Sequence, residues 1–144
     1  MGIVIREAES GDVAVIVQLI QELATSTERS PITETYVMQY LYSPTSTILL
    51  AETQGNVVGL LSYSLRPDLF HAANSCPIEE IVVQESMRGR GVGSTLLTEL
   101  LSRLSSKDCA EVSLAVMSDN TGAIRFYKRH GLREEALFLE RHFS

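Results

Sequence analysis

"IEEIVVQESMRGRGVGSTLL", Ile78 to Leu97, joins an apolar segment to three glycines within five residues and then to the start of a leucine stripe. Ile78 to Val83 reads as a largely buried strand, and Leu96, Leu97, Leu100, Leu101 and Leu104 fall along one side of a helix that would run to about Ser105. Gly89, Gly91 and Gly93 therefore sit where a strand ends and a helix begins. Successive backbone N–H groups and the helix dipole favour an anion at such a place, and the missing Cβ atoms let phosphate oxygens approach closely. A tight turn with solvated arginines would have the same local composition, so the surrounding elements have to decide.

Two common phosphate loops fit poorly. A P-loop needs Lys followed by Ser or Thr after its last glycine, whereas Gly93 is followed by Ser94-Thr95. A dinucleotide fingerprint needs G-x-G-x-x-G, and these glycines give G-x-G-x-G. Glu111 lies at about the right distance for a ribose-binding acid, but at the start of its strand rather than at the far end.

On the N-terminal side, Ile3 to Glu7 reads as a short strand, and Ser10 offers a cap to a helix carrying Val13, Ile16, Val17, Ile20 and Leu23. After "ATSTERSP", Thr33 can cap a shorter helix with Tyr36, Val37, Tyr40 and Leu41, which stops before Pro44. Thr47 to Thr53 and Asn56 to Ser64 read as strands of a hairpin turning at "QGN", and "RPDLFHAANSCP" reads as a loop. On the C-terminal side, Glu111 to Val116 reads as a buried strand, Asn120 opens a last helix that ends at Gly131, and "EALFLERHF" reads as a final strand. With no repeat or linker, the expectation is one α/β domain over residues 1–144 with a mixed sheet.

Composition sets the outer limits. The net charge of -6 argues against nonspecific nucleic-acid binding, which relies on cationic surface. Residues 1–87 hold 3 Lys and Arg against 11 Asp and Glu, a net of -8, while residues 88–144 hold 9 against 7. No apolar run approaches the roughly 20 residues of a membrane span, and the N-terminus lacks a signal-peptide layout. Met1-Gly2 fails as a myristoylation signal because Arg6 stands where Ser or Thr is wanted. Cys76 and Cys109 suggest neither zinc nor a disulfide framework, so a reduced, cytoplasmic setting without a metal is expected.

Arg88-x-x-Gly91-x-Gly93 resembles the acyl-CoA pyrophosphate loop of the GNAT superfamily of acetyl-CoA-dependent N-acetyltransferases. Asn120, Ala123, Phe126-Tyr127 and Gly131-Leu132 resemble a second pattern of that family, Asn-x-x-Ala-x-x-Phe-Tyr-x-x-x-Gly-Phe/Leu. The resemblance covers nearly the whole chain in element order, with its motifs between residues 78 and 132. It implies a mixed, mostly antiparallel central sheet of about six strands flanked by four helices. It also implies acetyl-CoA as acetyl donor, an amine acceptor attacking directly in a ternary complex, and no nucleic-acid or membrane partner, with a homodimer left open.

The implied site divides by task. Pyrophosphate would sit on the N–H groups across Arg88, Gly89, Arg90, Gly91, Val92, Gly93 and Ser94, with both arginines adding charge. The resemblance places the pantetheine arm along the backbone of Ile81, Val82 and Val83, with a backbone N–H near Val82 receiving the oxyanion; as core residues alone, these three would have the same composition. A protonated amine needs a base, and Glu79 and Glu80 are the candidates inside an apolar strand. Strand alternation would point them to opposite faces, leaving one at most to serve directly, and Glu79 matches the family's carboxylate position. Both would be merely solvated on a partly wet strand.

Tyr127 matches the family's tyrosine that protonates or hydrogen-bonds the leaving coenzyme A sulfur, although Phe126-Tyr127 also suits simple packing. Asn120 fits a helix cap or a pantetheine contact. His71, His130 and His142 look isolated, and Arg125, Lys128, Arg129 and Arg133 form a cluster that either aids phosphate binding or is a solvated face. The acidic first part favours a small cationic amine as acceptor, such as a polyamine, an aminoglycoside-like amine or an amino-acid derivative. A peptide or protein amine, shaped by loops such as Thr25 to Pro31 and Arg66 to Cys76, is the alternative, as is a non-catalytic acetyl-CoA sensor.

Overall fold

In the computed structural model, which describes residues 2–24, 28–104 and 108–143, the leucine stripe is the buried side of helix α3 (Val92–Leu104). Ser105 and the stretch Thr25 to Thr27 lie outside the described residues. The other elements are β1 (Val4–Glu7), α1 (Val13–Gln21), α2 (Glu34–Leu41), β2 (Ser46–Thr53), β3 (Asn56–Ser64), β4 (Arg66–Asp68), β5 (Ala73–Val83), β6 (Cys109–Ser113) and α4 (Thr121–Arg129). Among the described residues six strands form one mixed sheet in which only β5 and β6 run parallel, and four helices accompany it, as expected.

Strand alternation gives the sheet two apolar faces. Leu49, Ala51, Leu61, Tyr63 and Ile78 face one way and bury Val92, Leu96, Leu97, Leu100 and Leu104 of α3. Ile48, Leu50, Leu60 and Val82 face the other way and bury Ile16 and Leu19 of α1 with Val37 of α2. Gly59 lets α3 come close: a Cβ there would stand 3.0 Å from Val92 Cγ1 and 3.2 Å from the Val82 carbonyl oxygen.

The turn at "QGN" is the tight hairpin read from the sequence. Thr53 pairs with Asn56, and Gln54 and Gly55 both take positive φ, 52° and 79°. Thr33 caps α2 as expected, its Oγ1 accepting from Tyr36 N at 3.1 Å. Ser10 does not cap α1. It opens a single 3-10 turn instead, in which Asp12 accepts from Glu9 N at 2.8 Å and is gripped by both terminal nitrogens of Arg6 at 2.8 and 2.9 Å.

Three further expectations are corrected. The segment read as a loop, Arg66 to Pro77, holds β4 and the first half of β5, because β4 continues along β5 in the register set by β3 and the chain turns back at Leu69–Ala72. The strand expected at Glu111 to Val116 lies at Cys109–Ser113, where β5 supplies its partner. The tail "EALFLERHF" is not a strand, since no neighbour pairs with it among the described residues. Leu137, Phe138, Leu139 and Phe143 are left 90%, 68%, 86% and 84% exposed. Among the described residues, no helix is long and apolar enough to cross a membrane.

Candidate active site

The site begins with an unpaired strand edge. β6 accompanies β5 only from Asn74 to Pro77, while β3 follows β5 on the opposite side as far as Val83. From Ile78 to Val83 the edge facing away from β3 has no strand partner among the described residues, because β6 ends at Ser113 opposite Pro77. Half-buried Ile81, Val83, Leu114, Phe126 and Tyr127 pack on the same core beside it. An amide-bearing chain laid along this edge would find the backbone groups of β5 that point away from β3 free to bond, apart from the Val83 carbonyl.

At the end of β5 the glycine loop takes a conformation only glycine adopts without strain. Gly89 and Gly91 have φ of 76° and 85°. The Gly91 carbonyl accepts from Thr95 N at 3.0 Å and from Thr95 Oγ1 at 2.8 Å, so α3 starts at once. The N–H groups of Val92, Gly93 and Ser94 occupy its first turn, where no intrahelical acceptor exists. Arg88 is partly committed: its Nε donates to the Val83 carbonyl at 3.0 Å, and Nη2 lies 4.0 Å from Glu22 Oε1. Glu22 Oε1 also accepts from Glu85 N at 3.1 Å, tying the loop to the end of α1. Arg90 is exposed and makes no hydrogen bond or ion pair with the described residues.

Helix α4 is docked on this loop by a few contacts. Phe126 Cζ lies 3.5 Å from where a Cβ of Gly93 would stand, and Ser94 Oγ and His130 Nε2 are 3.2 Å apart. The Phe126 ring meets Tyr127 edge-on at 5.2 Å and His130 at 4.9 Å. Asn120 is the helix cap, its Oδ1 accepting from Ala123 N at 3.1 Å. Gly131, at φ 90°, ends the helix: Gly131 N donates to Lys128 O and Leu132 N to Tyr127 O, at 3.1 Å each. Burial raises the Tyr127 hydroxyl above its ordinary value, so it keeps its proton well into alkali.

The two glutamates share a face, contrary to simple alternation. The register runs Ser62 to Glu80 and then Tyr63 to Ile78, which leaves Glu79 as the extra residue of a β-bulge. Ser62 and Ser64, two residues apart on β3 and so on one face, donate to Glu80 Oε1 at 2.7 Å and Glu79 Oε1 at 3.4 Å. Ser62 Oγ also accepts from Glu80 N at 3.1 Å. Glu80 lines a cleft of about 780 Å³ between α1, α2 and the sheet, together with Tyr40 and Ser62. Glu79 is exposed. Tyr40 carries a hydroxyl raised first by burial and also by both glutamate charges, offset by bonds to Ser46 and Ser62.

The Acetyltransferase (GNAT) family pattern matches residues 16–132, from the middle of α1 to the end of the second motif. The chain belongs to the GNAT acetyltransferase family. A thialysine N-epsilon-acetyltransferase from Bos taurus is 28% identical over 151 residues, spanning 92% of this GNAT chain and 85% of that protein. An aminoalkylphosphonate N-acetyltransferase from Salmonella typhimurium is 34% identical over 96 residues, 65% of this chain and 61% of the other. A Trypanosoma brucei acetyltransferase structure shares the fold, with a TM-score of 0.83 at 22% identity over 99% of this chain and 100% of that one.

Several groups in this GNAT chain escaped the sequence reading. Ser94 and His130 meet only because α4 packs on the loop. His71 is not isolated: its Nδ1 lies 2.8 Å from Asp68 Oδ2, which raises the imidazole pKa, and Glu111 joins them with ligand atoms all within 4.8 Å. His142 Nε2 lies 3.4 Å from Glu140 on the exposed tail. Cys76 and Cys109 are both free, and burial pushes the Cys76 thiol up to about 12, which leaves it inert as a nucleophile. The strand glycine Gly59 did carry a signal, since an isolated glycine inside a strand marks close backbone approach.

Proposed function

We propose that this chain is an N-acetyltransferase that moves the acetyl group of acetyl-CoA to a small cationic primary amine by direct attack in a ternary complex. The observation that carries the reading is the unpaired edge at Ile78–Val83, which has the glycine loop at one end, Tyr127 beside it, Glu80 lining the cleft and Glu79 exposed next to it. The fit to acetyl-CoA rests on the first-turn N–H groups of α3 for the pyrophosphate and on the unpaired β5 edge for the amide-rich arm. Arg90 is free to add charge, and Arg88 acts chiefly by holding the loop against Val83. Bound there, acetyl-CoA supplies an activated thioester.

Each step then falls to a named group. Glu80, or Glu79 through a water, takes the proton that an alkylammonium must lose before its nitrogen can attack. The Val82 N–H is turned toward β3, as Gln84 N is toward Val58 O at 2.8 Å, so the backbone donor that meets the developing oxyanion is a neighbouring N–H on the free edge, that of Ile81 or Val83. As the new N–C bond forms and the C–S bond breaks, Tyr127 gives its proton to the departing thiolate and regains one from the second proton that the nitrogen sheds on becoming an amide, a role suited to a hydroxyl that burial keeps protonated. The names of the two relatives, thialysine and aminoalkylphosphonate N-acetyltransferases, agree with an amine acceptor.

Mass spectrometry of the purified chain with acetyl-CoA and a panel of amines, amino acids and short peptides tests the reading. An acetylated product that disappears with Tyr127→Phe and weakens with Glu80→Gln is the expected result. Binding of acetyl-CoA with no product from any acceptor would turn the assignment toward a sensor.

A further inference from the structure

The cleft that Glu80 lines has two chemically different parts. Its polar groups lie in two places: Glu80, Ser62 and the Tyr40 hydroxyl at the sheet, with one Glu80 oxygen held by Ser62 at 2.7 Å, and Glu28, Arg29, Ser30 and Thr33 in the segment leading into α2. Its walls are hydrocarbon, built by Ile16 and Ile20 of α1, Val37 of α2, Ile48 and Leu60 of the sheet, and Ile32 before α2. Four of these, Ile16, Val37, Ile48 and Leu60, are 2%, 2%, 7% and 1% exposed, so they are fixed by packing and cannot turn a polar group inward.

Such walls discriminate among amines. An ammonium beside Glu80 has a partner, but a second ammonium against the hydrocarbon walls next to it would leave water without one. The other carboxylate on the lining, Glu28, is exposed and adjoins Arg29, so it offers only a screened attraction. A carbon skeleton in the same space gains from every methylene it buries. The -8 charge of residues 1–87 draws cations toward this half of the molecule, while the walls select among those that arrive.

We infer that the acceptor is a primary monoamine on an apolar body, an arylalkyl or branched alkyl amine, and not a polyamine or an aminoglycoside. This rests on the N-acetyltransferase reading above and narrows it. Glu80 anchors the ammonium, and Ile16, Ile20 and Leu60 set the specificity by excluding further charge.

Steady-state kinetics on the full chain at saturating acetyl-CoA test it, with propylamine to hexylamine, phenethylamine, spermidine and kanamycin as acceptors. Along the alkyl series KM should fall by about fourfold per methylene until the cleft is filled. Phenethylamine should be preferred over spermidine and kanamycin in kcat/KM by on the order of a hundredfold, the cost of burying one unpaired charge. Ile20→Glu, at a half-buried lining position, should raise KM for hexylamine and lower it for 1,6-diaminohexane, inverting their order. A KM that is flat along the series, or a preference for spermidine or kanamycin, overturns the inference and leaves the N-acetyltransferase standing. No acetylated amine of any kind, with acetyl-CoA binding intact by calorimetry, overturns both.

Discussion

Helices α3 and α4 pack on the same apolar face, yet α3 buries five side chains over 13 residues while α4, over 9 residues, buries none. The first is held by the sheet and the second mainly by its own ends: an Asn120 cap, a Gly131 stop and a small cluster of Phe126, Tyr127 and His130 against the loop. The difference separates two kinds of apolar signal in one sequence. The leucine stripe of α3 is about stability, and its glycine entry sets the backbone conformation of the loop before it. In α4 the same kind of apolar residue serves placement, because so little of the fold depends on it.

Matched truncations break the comparison most directly. Leu100→Ala removes a fully buried side chain from α3 and should destabilise the chain by about 2–5 kcal/mol, read as the midpoint of urea unfolding. Tyr127→Phe removes one half-buried hydroxyl from α4 and should leave that midpoint almost unmoved, while kcat falls by about 100- to 10,000-fold. Similar losses of stability in the two variants would show that α4 belongs to the core after all. The pH dependence has a definite sign: burial raises the folded pKa of Tyr127, so its contribution to stability is fully present below the unfolded value of about 10 and is lost as pH rises through the folded one. The alkaline limb of kcat assigned to this hydroxyl should therefore lie above pH 10 in the wild type and be absent from the residual activity of Tyr127→Phe.

The glycines give a finer contrast. A methyl group at Gly59 would press on Val92 and on the Val82 carbonyl, so Gly59→Ala should cost about 1–3 kcal/mol and shift α3 away from β3. At Gly93 the nearest atom would be Phe126 Cζ at 3.5 Å, an ordinary contact, and Gly93→Ala should fold with an unchanged midpoint. Its effect should be confined to acetyl-CoA affinity, measured by calorimetry. A large loss of stability at Gly93 would mean that α4 docks more tightly on the loop than these contacts indicate.

How far the sequence could be read follows the same division. The stripe of α3, the Gln54-Gly55 turn and the loop glycines were legible because each is a local signal, set by spacing or by φ. Strands depended on their neighbours. Arg66–Asp68 is polar and contains Pro67, yet it pairs because β5 returns beside it; the tail around Leu137 to Leu139 is apolar, yet it stays unpaired. The glutamates show the limit most plainly. Period-two alternation was the right rule for β5, and the bulge at Glu79 broke it for the two residues that matter, with nothing in "IEEI" to announce a register shift against Ser62 and Tyr63.

Asn120 tests the comparison at its smallest scale. Its carboxamide oxygen accepts from Ala123 N, so Asn120→Ala should cost about 1 kcal/mol in the stability of α4. Because α4 carries none of the buried core, that cost should fall on local opening: hydrogen exchange of the amides from Ala123 to Tyr127 should quicken by about fivefold while the global midpoint hardly moves. Asn120→Asp separates the cap from any part in holding acetyl-CoA, since aspartate caps as well as asparagine but has no amide N–H to donate. If Asn120→Asp restores both exchange rates and acetyl-CoA affinity, the residue acts only by ordering the helix. If it restores exchange and not affinity, the side-chain N–H reaches the ligand, and the helix end is part of the binding surface as well as its support.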